Sequence, residues 1–268
     1  MKIIELIANI TFKLGVLERR AKRDSFFKIA NKFLDGYANR NYELAKNGET
    51  RILDILQAEV FSTLFDIGAN KGEWSMYAAK IFPAAEIYSF EIASDVFDVF
   101  QERVQSISTI HPQAVGLSNI DGDVQLYSHA ESDGMTSMVT SSHLHEAHAS
   151  KARVVTGDSF CKQKNIQHID FLKIDVEGAE NLVLEGFRQM LSAGNITVIQ
   201  FEYGLVNVYA KFLLKDFYDL LGTQYHIGKL LPHGVDFQEY DVKQEDFRGA
   251  NYIAVLRSQQ DIIELLRC

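Results

Sequence analysis

The run Leu64-Phe65-Asp66-Ile67-Gly68-Ala69-Asn70-Lys71-Gly72 restricts this chain more than any other stretch of its 268 residues. It reads as a short apolar strand feeding a glycine-bearing turn, and Trp74, Tyr77, Ala78 and Ile81 then recur at helical spacing. Strand, turn and helix in that order open a βαβ unit, whose glycines let the backbone approach a ligand at the carboxyl end of a parallel sheet. Glu91 follows the next apolar run, Glu86 to Phe90, where a carboxylate can accept hydrogen bonds from both ribose hydroxyls of an adenosyl group.

The rest of the chain continues the alternation. Strands are expected at Thr63 to Ile67, Glu86 to Phe90, Thr109 to Val115, Ile169 to Ile174, Ile196 to Phe201, Gln224 to Lys229 and Tyr252 to Leu256, separated by amphipathic segments. Seven such strands define the fold class as α/β, a doubly wound, Rossmann-like sheet. Between the third and fourth lies an insertion with a turn at Asp121-Gly122, a strand at Val124 to Tyr127 and a polar, His-rich loop reaching Lys151.

Residues 1–60 read as a helical extension and 61–268 as the main domain. Ile3, Leu6, Ile7, Ile10, Leu14 and Leu17 form one helical stripe, Phe26, Phe27, Ala30, Phe33, Leu34 and Tyr37 a second, and a further helix is expected near Ile52 to Val60. Through Lys32 there are eight Lys or Arg against three Asp or Glu. These helices therefore have three readings: a cap on the domain, a homodimer interface, or peripheral contact with an anionic membrane. The net charge of −9 argues against general nucleic-acid binding. Glu5, Asn9 and Lys13 make the first stripe too polar to span a membrane, no signal-peptide cleavage site follows it, and the two cysteines, Cys161 and Cys268, have no disulfide or zinc spacing. A cytoplasmic location is the expectation.

The glycine turn does not carry the G-x-G-x-x-G spacing of a dinucleotide site. Gly68 and Gly72 instead give G-x-x-x-G behind Asp66, a pattern suited to a ligand without pyrophosphate. S-adenosylmethionine fits, with Asp66 near its sulfonium and amino-acid portion and Glu91 on its ribose.

The sequence resembles the FkbM family of methyltransferases. The resemblance begins near Asn47-Gly48-Glu49 and runs through the glycine turn, Glu91 and Gly116-Leu117-Ser118-Asn119. It is strongest at Asp170-Phe171-Leu172-Lys173-Ile174-Asp175-Val176-Glu177-Gly178-Ala179-Glu180 and Val183-Leu184-Glu185-Gly186, and covers roughly residues 42 to 257. Gly157-Asp158 departs from the family's Leu-Asp. The resemblance implies a class I methyltransferase sheet with an antiparallel last strand, and O-methylation of sugars in glycans or of natural products. It also implies a cofactor site of Asp66, Gly68, Ala69, Asn70, Gly72, Glu91, Ser118 and Asp175, with Met135-Thr136-Ser137 closing over the cofactor.

Methyl transfer to an alcohol needs an in-line approach and a group that takes the hydroxyl proton. Asp175 and Glu202 fall at the ends of adjacent expected strands, with Glu177 and Glu180 just beyond Asp175. Asp175 or Glu177 then serves as general base or holds the acceptor, or Asp175 and Glu202 hold a divalent ion such as Mg²⁺. Glu180 equally suits the first turn of the following helix, where it meets the helix dipole. His143, His145 and His148 form an H-x-H-x-x-H cluster, read as a solvated loop, a catalytic base or acceptor contact from His143 or His145, or a metal site. Glu177, Glu202, Tyr203 and His226 are candidates for acceptor contact. The acceptor is expected to be a sugar, a glycan or glycolipid, or a hydroxylated metabolite. The alternative is a noncatalytic S-adenosylmethionine-binding module that recruits a partner through its N-terminal helices.

Overall fold

A computed structural model of the chain describes residues 20–129, 136–137 and 147–268. The first helical stripe, His143, His145 and Met135 lie outside the described residues.

The seven expected strands form one sheet with an eighth that the sequence did not suggest. They are β1 (Thr63–Ile67), β2 (Glu86–Phe90), β3 (Ile110–Gln113), β8 (Ile169–Ile174), β9 (Ile196–Tyr203), β10 (Tyr225–Leu231), β11 (Gly234–Phe237) and β12 (Ala250–Leu256), in the order β11-β10-β12-β9-β8-β1-β2-β3. Strands β3, β2, β1, β8 and β9 pair in parallel, whereas β12 runs antiparallel between β9 and β10. The added edge strand β11 pairs antiparallel with β10 through the turn at Pro232-His233, too short a run to show a period of two.

Strand alternation divides the core between two faces. Phe65, Leu172 and Ile199 point to one face, under the helices Gly157–Lys164, Glu180–Gly186 and Leu214–Leu221. Leu64, Phe171 and Val198 point to the other, under the helices Glu49–Ile55, Glu73–Ile81 and Gln260–Leu266. On that second face the register aligns Ser89, Asp66, Lys173 and Gln200 across four adjacent strands, a polar row in an otherwise apolar sheet. Two residues further on, Glu91, Gly68, Asp175 and Glu202 stand at the carboxyl edge.

The described residues of the insertion hold strands beyond the expected Val124 to Tyr127. Strands β4 (Gly116–Leu117), β5 (Gly122–His129), β6 (Thr136–Ser137) and β7 (Ala147–Val155) form a second sheet in the order β4-β7-β5-β6, with β5 and β7 paired from Gly122–Val154 to His129–Ala147. Backbone pairing has overridden the polar composition there.

At the N-terminal side, the helix Arg20–Tyr37 bears the second apolar stripe. The next helix, Glu49–Ile55, is not an appendage. Ile52, Leu53 and Leu56 are fully buried in the core with Leu64 and Trp74, so the domain's packing begins before residue 60. No helix among the described residues is long and apolar enough to cross a membrane.

Candidate active site

The glycine turn is held between two strand ends. Gly68 and Ala69 donate their backbone N–H groups to the Phe90 carbonyl at 3.0 and 2.9 Å, and the Asp175 N–H bonds the Ile67 carbonyl at 2.9 Å. Gly68 has φ +81°, and a Cβ there would lie 1.8 Å from the Asp175 carbonyl oxygen. Gly72, at φ +80°, would meet the Phe100 ring at 2.4 Å. These glycines thus serve the close approach of protein segments to each other, a requirement distinct from the ligand approach expected from sequence. Asn70 takes φ +48°, and its N–H donates to Glu91 Oε2 at 2.9 Å, while Ala93 N–H donates to Oε1 at 2.8 Å. Burial pushes the Glu91 carboxyl up and these backbone donors pull it back. Glu91 therefore fastens the turn, with lone pairs remaining for a further donor.

Asp66 is fully buried. Its Oδ2 accepts from Ser75 Oγ at 2.6 Å, Ser75 Oγ lies 2.8 Å from Ser89 Oγ, and Oδ1 lies 3.4 Å from Lys173 Nζ. Contact with a ligand's amino-acid portion, as read from sequence, is replaced by support of the polar row. Lys173 also reaches Asp175 Oδ2 at 3.1 Å. Burial alone would lower the lysine's pKa, but Asp175, Asp66 and Glu49 together raise it, so Lys173 stays charged. A cleft of about 310 Å³ opens beside this row, lined by Glu49, Gly68, Ala69, Asn70, Trp74 and Asp175 among others. A larger groove of about 820 Å³ runs along Asp158, Lys162, Arg188 and Gln189 under the other face, and holds none of the glycine-turn or acidic-edge residues.

At the edge, carboxylate oxygens of Asp175, Glu177 and Glu202 lie within 4.8 Å of one another. Glu177 adopts φ +55° in the turn after β8, which brings its side chain back toward the strand ends. Its carboxyl is pushed up to about 7 by burial and then by Asp175, with Lys173 opposing. Burial, followed by the charges of Asp175, Glu177 and Glu180, raises Glu202 well above the usual carboxylate range. Glu180 is fully buried, and its Oε1 accepts from the N–H groups of Val176 (3.1 Å) and Gly178 (3.2 Å). It ties down the turn that presents Glu177.

Three other expected contacts lie elsewhere. Tyr203 is 1% exposed, packed against Phe217, Phe247 and Tyr252, and its hydroxyl donates to Glu245, so its ring is unavailable for stacking on a sugar. His226 sits beside Arg257 and pairs across β12 with Val255, which pairs with Val198, four residues and roughly 13 Å below Glu202 along β9. Ser118 is 2% exposed, and Gly186 packs directly over its carbonyl. In contrast, Glu49 was named from sequence only as the point where the family resemblance begins, without a role. Its Oε1 accepts from Asn47 Nδ2 at 2.5 Å and its Oε2 from Gln200 Nε2 at 2.6 Å. The available signal was Gln200 itself, a polar residue inside Ile-Thr-Val-Ile-Gln-Phe that required a buried partner.

This arrangement coincides with a match to the FkbM methyltransferase domain over residues 66–240. The chain belongs to the FkbM methyltransferase family. Among curated relatives, hexuronic acid methyltransferase AglP of Haloferax volcanii is 26% identical over 162 residues, 59% of this chain and 64% of that protein. Methyltransferase 1 of Beauveria bassiana is 28% identical over 145 residues, 47% and 58% of the two chains. The matches thus span less than two thirds of these relatives. A solved FkbM methyltransferase from Methylobacillus flagellatus aligns with a TM-score of 0.47 at 16% identity, covering 73% of this chain and 43% of that one.

Proposed function

We propose that this FkbM-family chain transfers a methyl group from S-adenosylmethionine to a hydroxyl of a sugar, glycan or hydroxylated metabolite. The observation that carries the reading is the convergence of the Asp175, Glu177 and Glu202 carboxylates at the sheet edge, beside a cleft built on the glycine turn. Glu49, Asp66, Glu73 and Asp175 outnumber Lys71 and Lys173 around that cleft, which suits a sulfonium-bearing ligand. Bound S-adenosylmethionine supplies the electrophilic methyl carbon.

Within this site the residues divide the work. Glu91 and the turn hold the nucleoside end, and Asp175, fixed by Lys173, orients the acceptor. Glu177 receives the proton as the acceptor oxygen bonds the methyl carbon and the carbon–sulfur bond breaks to leave a neutral thioether. A carboxyl near 7 is matched to that task at neutral pH. A second reading uses the same oxygens. Three carboxylates suit a hard divalent ion such as Mg²⁺ held by Asp175 and Glu202 with Glu177, whose charge would lower the acceptor's pKa.

The test is transfer from methyl-labelled S-adenosylmethionine to a panel of sugars, uronic acids and hydroxy acids. Uronic acids are included because of the activity named for the Haloferax relative. Glu177→Gln should lower kcat by about 100-fold or more. Undiminished transfer by that variant removes Glu177 as base. Loss of turnover on chelation, restored by Mg²⁺, selects the metal reading, and binding without transfer to any acceptor selects the noncatalytic module.

A further inference from the structure

The cleft wall includes a carboxylate that lies outside the matched domain. Glu49 precedes the family match by seventeen residues, yet its side chain reaches the sheet centre at Gln200 and lines the cleft with Gly68 and Asp175. Asp66, the acid expected to meet the amino-acid portion of the ligand, is fully buried behind the cleft wall, with Oδ2 accepting from Ser75 and Oδ1, which makes no hydrogen bond, 3.4 Å from Lys173 Nζ. Of the remaining acids on the wall, Glu73 is largely exposed and pairs with Arg103, and Asp175 is drawn to Lys173 and stands beside the edge cluster, where the acceptor would sit. Glu49 is held still by Asn47 and Gln200, and the cost of burying its charge falls when a cation comes against it.

A second, independent feature of the same wall requires a ligand group of opposite character. Trp74 is 3% exposed and lines the cleft, and its indole N–H has no acceptor among the described residues. A buried donor of this kind is normally satisfied. An α-amino acid carries both partners, an ammonium for Glu49 and a carboxylate for the indole N–H.

We propose that Glu49 binds the α-ammonium of the cofactor's methionyl tail and Trp74 Nε1–H its α-carboxylate, so that the helix Glu49–Ile55 is part of the cofactor site. This rests on S-adenosylmethionine being the methyl donor. The role belongs to recognition of the tail and leaves the nucleoside to Glu91.

The experiment compares, by calorimetry on the full chain, S-adenosylhomocysteine with 5′-methylthioadenosine, which keeps the nucleoside and thioether and lacks the amino acid. The native chain should prefer S-adenosylhomocysteine. Glu49→Gln should bind methylthioadenosine as the native chain does and lose about tenfold or more in affinity for S-adenosylhomocysteine, erasing the preference. Trp74→Phe should shift in the same direction by a smaller factor. A preference retained in Glu49→Gln overturns the inference, and failure of the native chain to bind either ligand overturns the cofactor reading instead. If Glu49→Gln does not fold, seen as lost methylthioadenosine binding and no cooperative thermal transition, the exchanged pair Glu49→Gln/Gln200→Glu restores the buried carboxylate–amide contact with the charge moved to β9. The preference should again vanish, and its survival in that variant likewise overturns the inference.

Discussion

Gly68 is constrained twice, by a left-handed φ and by a neighbouring carbonyl that leaves no room for a methyl group. Gly68→Ala would have to move the turn away from β8, and the two effects together should cost about 3 kcal/mol or more, read as a lowered midpoint in denaturant. Gly36 provides the contrast, since it lies within a helix with nothing near its Cβ position. Gly36→Ala should be neutral or raise stability by up to about 1 kcal/mol. At this scale the ends of β1, β2 and β8 were legible at Gly68, Glu91 and Asp175, because strand ends are marked by the switch from apolar run to glycine or acid. The sequence could not tell that Asp66 faces inward to Ser75 while Asp175 stands at the edge, since that depends on strand register.

Among the elements, the helix Arg20–Tyr37 does not turn its apolar stripe to the domain, as a cap would. Asn31 and Asp35, on its polar side, accept hydrogen bonds from Arg248 at 3.0 and 2.9 Å, whereas Phe27, Phe33 and Tyr37 are 64%, 76% and 87% exposed. Periodicity identifies a helix and its apolar stripe without stating which stripe meets the protein. The attachment is local and polar, so Arg248→Ala should speed hydrogen exchange across residues 24–37 while changing the midpoint of global unfolding by less than about 1 kcal/mol. Unchanged exchange in that helix would mean that other contacts hold it. The β5–β7 pair shows the opposite failure of pattern, a polar run that pairs because its backbone is extended alongside a partner of matching length.

For the whole molecule, the concentration of buried acids at one sheet edge links stability to pH. Glu180 is pushed up to about 7, chiefly by burial, from an ordinary value of 4.5. A carboxyl raised in the folded state favours folding while it is protonated, and the advantage fades as pH rises through the folded value. This group alone should therefore remove up to roughly 3 kcal/mol between pH 4.5 and pH 8. Glu180→Gln cannot ionise, so its stability relative to the native chain should climb across that interval in denaturant unfolding. Parallel pH profiles for the two proteins would contradict this account. Lys173 moderates the same field by remaining charged among Asp66, Asp175 and Glu49.

The sequence by itself determined the α/β class, seven of the eight main strands, the glycine turn and the acids at the strand ends, because each is written in local periodicity and in residues with restricted conformations. Only the tertiary structure decided that Ser89, Asp66, Lys173 and Gln200 form one row, that Glu49 closes on it from a helix 151 residues away in sequence from Gln200, and that Tyr203 and His226 turn from the site. Those placements follow from strand register and from the need of buried polar groups for partners, and neither is a property of any short stretch of chain.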